Sequence, residues 1–174
     1  MIAEIGHFAL ILALVLSVVQ CVLPLVGAAR GIGSWMALAR TAAYANALFL
    51  TISFGTLAYS FYISDFTLLN VASNSNSLLP WFYKVAATWG SHEGSILFWA
   101  LMLTWWGFLV ALTSRKLPQE TVARVLGVMG FITAGFVAFM LFTSNPFLRL
   151  FPAAPEGADL NPLLQDPGMV FHPP

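Results

Sequence analysis

Apolar and polar positions are sorted along this chain into long blocks. Four stretches carry no Asp, Glu, Lys or Arg: Ile5–Ala29, Thr41–Ser64, Gly94–Ser114 and Val125–Leu148. Roughly 20 apolar residues rising 1.5 Å each cross the ~30 Å hydrocarbon core of a bilayer, so each block is long enough to span it. The pattern predicts an all-α integral membrane protein with four transmembrane helices, placed at 5–29, 41–64, 94–114 and 122–145 of a single membrane domain, 1–174.

The connections differ in character. Gly31-Ile32-Gly33-Ser34 reads as a tight turn between the first two spans, and Asn70 to Ser77 as a polar loop after the second. The stretch at 78–90 is aromatic, too short to span, and holds one cation, Lys84, which predicts an amphipathic helix lying at the membrane surface. Prolines at 146, 152, 155, 162, 167, 173 and 174 exclude a regular helix from the segment 146–174, where Asp166-Pro167-Gly168 is a turn signature.

Within the spans, Asn46, Ser53 and Ser60 repeat every seven residues and share one helical face. Gly130, Ala134 and Ala138 form a ridge of small residues that lets another helix approach closely. Both faces predict packing against helices. Trp99, at mid-span, is expected to pack against one too, whereas Trp81, Trp89, Trp105 and Trp106 fall where aromatic belts form at membrane interfaces.

Composition agrees: 59% of residues are hydrophobic and 8% charged, against roughly 25% charged in soluble domains. Net charge is zero with no long basic run, which argues against nucleic acid as a partner. Five cations (Arg30, Arg40, Arg115, Lys116, Arg124) flank the first and third connections, and two (Lys84, Arg149) lie on the other side. The positive-inside rule puts the five in the cytoplasm. Both termini then face outward, to the periplasm if the membrane is a bacterial inner membrane. No charge lies inside a span, which argues against ion transport. Met1-Ile2-Ala3-Glu4 lacks the basic start of a cleaved signal peptide. Cys21 is the one cysteine, so the chain has no internal disulfide and no Cys-x-x-Cys-His for covalent haem attachment.

Candidate chemistry sits at the outer side. His7, His92 and His172 all fall there, and imidazole is the commonest protein ligand to haem iron. His92, Ile96, Trp99, Leu103 and Trp106 share a helical face, with Trp89 just before it, a shelf suited to a flat aromatic ligand. A purely structural reading competes: Ser91 as N-cap and Glu93 at the positive end of the helix dipole make a sound helix start without any ligand. His172 precedes two prolines that restrict its backbone, and otherwise reads as a solvated loop histidine. His7 reads as an interfacial residue.

Three strings add to this: Glu4-Ile5-Gly6-His7-Phe8-Ala9-Leu10, Trp89-Gly90-Ser91-His92-Glu93-Gly94-Ser95, and Asn161-Pro162-Leu163-Leu164-Gln165-Asp166-Pro167-Gly168-Met169-Val170-Phe171-His172-Pro173-Pro174. Together they resemble the CcmF family of cytochrome c-type biogenesis proteins; the related nitrite-reductase haem lyase subunit is similar. The resemblance implies part of a membrane haem lyase that takes haem from a periplasmic haem chaperone. With other cytochrome c maturation membrane subunits, it attaches that haem to apocytochrome c. It implies that His172 helps hold incoming haem transiently; Trp89, His92 and Glu93 remain weaker cofactor-binding candidates on the reading of the residues alone. It also implies that the chain corresponds to the N-terminal part of a longer protein. The tryptophan-rich segment and the ligands of a resident haem b then lie outside it, and no complete catalytic site lies within it. The alternative is a structural module in which the polar and small-residue faces serve only helix packing.

Overall fold

A computed structural model describes residues 1–166 and 168. The chain forms α1 (Ile2–Arg30), α2 (Gly33–Tyr62), α3 (Leu69–Asn74), α4 (Trp81–Ala87), α5 (His92–Thr113) and α6 (Gln119–Phe142), with 3-10 turns at Ser114–Lys116 and Pro162–Gln165. Helices α1, α2, α5 and α6 are long and apolar enough to cross a membrane. The shortest, α5, has 22 residues and is roughly 33 Å long. No strand occurs among the described residues, only an isolated antiparallel bridge between Leu68 and Arg149.

Each long helix starts ahead of its uncharged block, and α2, α5 and α6 end before theirs do. α2 begins at Gly33 instead of Thr41 and so takes Arg40 into the helix. Arg40 Nη1 donates to the Ala111 carbonyl at 2.6 Å and Nη2 to the Ser114 carbonyl at 3.0 Å. Carbonyls at a helix C-terminus have no partner within the helix, and a guanidinium is well shaped to supply one. The first connection therefore shrinks to Gly31 and Ile32. Gly31 adopts φ +71°, where glycine carries no steric cost, and the Ile32 amide closes on the Gly27 carbonyl at 2.9 Å.

The expected polar loop at 70–77 is a helix over its first half. Asn74 Nδ2 donates to the Asn70 carbonyl at 2.9 Å, while Val71 and Ala72 bury their side chains. That burial outweighs the weak helix propensity of Asn and Ser. The surface helix expected at 78–90 is confined to Trp81–Ala87. Asn76 Oδ1 accepts the amides of Leu78 and Leu79, which turns the chain ahead of Pro80.

By internal contacts the chain divides into two compact units. Unit one comprises Met1–Phe8, Ile52–Trp99 and Met140 onward; unit two comprises Ala9–Thr51 and Ala100–Phe139. In unit two the core is built largely from small residues: Ala28, Ala39, Ala43, Ala111 and Ala123, with Val122 and Leu126, flanked by Met36, Tyr44, Val110 and Met129. Small side chains let helix backbones approach where lipid offers no hydrophobic drive. A Cβ on Gly130 would stand 3.0 Å from Gln20 Cβ, so the ridge begun by Gly130 packs on α1; Ala134 and Ala138 are half-buried.

This closeness lets short polar side chains reach one another. Asn46 Nδ2 donates to Gln20 Oε1 at 2.7 Å, and Gln20 Nε2 donates to the Leu126 carbonyl at 2.9 Å. Ser17 Oγ donates to the Ala13 carbonyl at 2.6 Å and lies 3.3 Å from Asn46 Oδ1. The network ties α1, α2 and α6 together. The remaining members of the seven-residue stripe, Ser53 and Ser60, are fully buried in unit one. Trp99 departs from expectation: 60% of it is exposed. The buried line of α5 runs through Leu97, Ala100, Leu101, Thr104 and Ala111, and a neighbouring position is turned by about 100° away from it.

Replacing Asn46 by Ala removes the central link and strands buried polar atoms of Gln20. The substitution is expected to lower the unfolding free energy in detergent by about 1–2 kcal/mol. A double Gln20→Leu, Asn46→Leu variant is expected to recover part of that loss. Denaturant titration followed by circular dichroism measures both, and an Asn46→Ala midpoint equal to wild type would contradict the network's role.

Candidate functional site

The site residues belong to unit one and are positioned by the corner between α4 and α5. Amides of Thr88, Trp89 and Gly90 bond to the carbonyls of Val85, Ala86 and Ala87, tightening the end of α4 into 3-10 form. The chain then reverses. Ser91 Oγ accepts the Gly94 amide at 3.0 Å, an N-cap bond that starts α5 at His92. A Cβ on Gly94 would collide with the Thr88 carbonyl, so the close return of backbone on backbone requires glycine there. Ser95 Oγ donates to the Trp89 carbonyl at 2.6 Å.

Trp89 is therefore built into the corner. It is half-buried and stacks on Phe98 with ring centroids 5.9 Å apart, and Phe98 lies 5.4 Å from Phe54. Glu93 is half-buried in the first turn of α5, where the helix dipole favours a carboxylate, and it enters no ion pair among the described residues.

Two histidines are held by consecutive residues that sequence reasoning did not single out. Ser144 Oγ lies 2.9 Å from His92 Nδ1, and Asn145 Nδ2 lies 3.2 Å from His7 Nε2. Asn145 Oδ1 accepts the Phe147 amide at 2.9 Å, which fixes the orientation of its carboxamide. Its NH₂ group then faces His7 Nε2. Phe147 also stacks on His7, with centroids 6.3 Å apart. The available sequence signal was Thr143-Ser144-Asn145-Pro146, turn chemistry directly after an apolar span. His172 lies outside the described residues, so it is not placed relative to His7 or His92.

The described part of its segment is pinned repeatedly to the connection between α2 and α5. The Leu69 amide bonds the Leu148 carbonyl at 2.9 Å and the Leu150 amide bonds the Thr67 carbonyl at 2.8 Å. Arg149 donates to Glu4 and Thr67 and lies 3.8 Å from Asp65. Glu156 accepts the Ser77 hydroxyl at 2.5 Å and the amides of Ser77 and Gly157, each at 2.9 Å. Lys84 Nζ donates to Ser64 Oγ at 2.8 Å and to the Ser77 carbonyl at 3.0 Å. Farther on, the Tyr83 hydroxyl donates to the Gln165 carbonyl at 2.5 Å. The bond from the Ser77 hydroxyl, then those from the two amides, holds the exposed Glu156 carboxyl below its ordinary value.

A family model described as "Cytochrome C assembly protein" matches residues 89–174, a region that starts at Trp89 of the corner. CcmF of Pseudomonas aeruginosa is 57% identical over 175 aligned residues, covering all of this chain and 27% of that protein. The chain belongs to the CcmF family. Escherichia coli CcmF is 51% identical over the whole chain, and NrfE of Haemophilus influenzae, also named a cytochrome c-type biogenesis protein, is 47% identical. A solved structure titled "Cytochrome c Heme Lyase CcmF" superposes with a TM-score of 0.80 at 28% identity, covering 84% of this chain and 25% of that one. The chain thus spans 27% of the length of the CcmF relatives from Pseudomonas aeruginosa and Escherichia coli. The likeness to these relatives agrees with a membrane protein, as do the four long apolar helices.

The Glu156 clamp has a defined pH dependence. Its folded-state pKa is depressed, so its contribution is complete above the unfolded glutamate value and is lost as pH falls through the lowered folded value. Hydrogen-exchange protection of the Ser77 and Gly157 amides is expected to decline on acidification through that window. In Glu156→Gln, protection is expected to be low and flat across it. Equal pH profiles for the two proteins would exclude the clamp.

Proposed function

We propose that this chain acts as part of a membrane haem lyase in a bacterial inner membrane, handling haem at the periplasmic face for attachment to apocytochrome c. The observation that carries the reading is the alignment of the whole chain with CcmF at 57% identity. The five-to-two distribution of cations supports an orientation with α3, α4, the α4–α5 corner and the segment after α6 in the periplasm. Partners on this reading are a periplasmic haem chaperone, apocytochrome c and other cytochrome c maturation membrane subunits.

Haem is cargo here, and His172 is the residue assigned to meet it. Of the other candidates, His92 fits best. Its Nδ1 is engaged by Ser144 Oγ, the kind of second bond that holds an imidazole's orientation. His7 fits less well, because Asn145 occupies its Nε2. Trp89 serves packing on Phe98, and Glu93 adds negative charge beside His92. The resident haem b expected by resemblance has no ligands assigned in this chain. The structural alternative accounts well for unit two, whose polar side chains Ser17, Gln20 and Asn46 satisfy one another.

The test is His172→Ala in the protein as its native gene encodes it, expressed in cells making a reporter cytochrome c. Holocytochrome yield by haem-stained gel is expected to fall several-fold at unchanged membrane abundance of the variant. Wild-type yield would overturn the assignment of His172.

A further inference from the structure

Within unit two, the surface between α2 and α5 opens into a groove of about 200 Å³ lined by Tyr44, Ala47, Leu48, Thr51, Trp105 and Phe108. Its walls follow from helical spacing. Tyr44, Ala47, Leu48 and Thr51 fall at i, i+3, i+4 and i+7 of α2, and Trp105 and Phe108 at i and i+3 of α5. The rings brace one another: the Phe108 centroid lies 5.2 Å from that of Tyr44 and 5.4 Å from that of Trp105. Polar atoms of the wall are used internally. Trp105 Nε1 donates to Thr51 Oγ1 at 3.1 Å, and Thr51 Oγ1 donates to the Ala47 carbonyl at 2.6 Å. What the groove offers an occupant is therefore ring and hydrocarbon surface, and Leu48 and Trp105 stand exposed at its edge.

One end of the groove is cationic. Arg40 stands one turn before Tyr44 on the same face of α2, with its guanidinium on the carbonyls of Ala111 and Ser114. Arg115 and Lys116 follow in the 3-10 turn after α5, and both are exposed. Among the described residues none of these three cations enters an ion pair, whereas Arg124 pairs with Glu120. The ten residues from Trp105 to Arg115 rise about 15 Å. That is half of the ~30 Å hydrocarbon core, the depth of one leaflet.

We propose that this groove binds one anionic phospholipid, with an acyl chain along Tyr44, Leu48, Trp105 and Phe108 and the phosphate at Arg115 and Lys116. Size selects a chain over a helix. A cavity of about 150 Å³ holds the six carbons of benzene. One of about 200 Å³ then takes a hydrocarbon stretch of roughly eight carbons. A helix with its side chains is about 10 Å across and too wide to enter. Charge selects the headgroup, because a cation at the edge of hydrocarbon is costly without an anion, and each Lys or Arg near the surface strengthens attraction to anionic lipid. The site lies in unit two and does not depend on the haem reading.

The experiment uses the protein as its native gene encodes it, purified in detergent, with native mass spectrometry as the readout. Dioleoyl phosphatidylglycerol and dioleoyl phosphatidylcholine are the probes. One phosphatidylglycerol is expected to bind more tightly than phosphatidylcholine. Arg115→Gln and Lys116→Gln are each expected to weaken it about fivefold. Leu48→Trp, which fills the groove from an exposed position, is expected to abolish the tight site. A second measurement needs no filled groove: phosphatidylglycerol brominated along its chains is expected to quench a larger fraction of tryptophan fluorescence in wild type than in Trp105→Phe. Equal affinity for the two lipids would overturn the proposal, as would wild-type phosphatidylglycerol affinity in both cation variants or in Leu48→Trp. Equal fractional quenching in wild type and Trp105→Phe would also overturn it, and would give the groove to another part of the protein.

Discussion

Hydrocarbon offers no partner to an N–H, a C=O or a side-chain amide, and that constraint governs the structure. Four long helices satisfy their own backbones, but α1 and α2 also carry Ser17, Gln20 and Asn46 in their apolar runs. In unit two these residues find each other and the Leu126 carbonyl of α6, which has a lone pair to spare beyond its helical bond. Such contacts are short because Ala28, Ala39, Ala43, Ala111 and Ala123 keep the helices near one another. Arg40 obeys the same requirement at the end of α5, turning a charge into a cap for carbonyls the helix leaves open.

Unit one shows the complementary situation. Here polar groups are plentiful, and the segment following α6 is fastened by a succession of specific bonds. Ser144 and Asn145 engage two histidines, Arg149 bridges Glu4 and Thr67, Glu156 gathers three donors, and Tyr83 holds Gln165. Each exposed ion pair is individually weak. Their spacing along the chain matters more, because it leaves only short lengths unanchored. Between Ser144 and Gln165 a proline-rich stretch thereby acquires a defined course.

The Trp89–Ser95 string builds the α4–α5 corner almost residue by residue. Trp89 stacks, Ser91 caps, Gly94 permits backbone contact with Thr88, and Ser95 reaches back to Trp89. Gly90 is the position that meets the following segment, against Leu164. The reading of this region as a sound helix start is met by the Ser91 cap and by Glu93 in the first turn of α5.

What the sequence settled by itself was the four spans, because a 30 Å apolar slab demands about 20 apolar residues whatever the tertiary arrangement. It also marked Asn46, Ser53 and Ser60 as a buried face, since helical periodicity aligns them, and Ser91 as a cap, since hydroxyl-to-amide geometry is local. Tertiary structure alone decided that Arg40 lies within α2, that Asn70–Asn74 is helical, and that Trp99 is turned outward. It alone brought His7 and His92 to adjacent residues of one strap and set Leu164 against Gly90. Periodicity and capping act within a few residues of chain, whereas these features depend on which distant groups supply partners, and no local pattern records that.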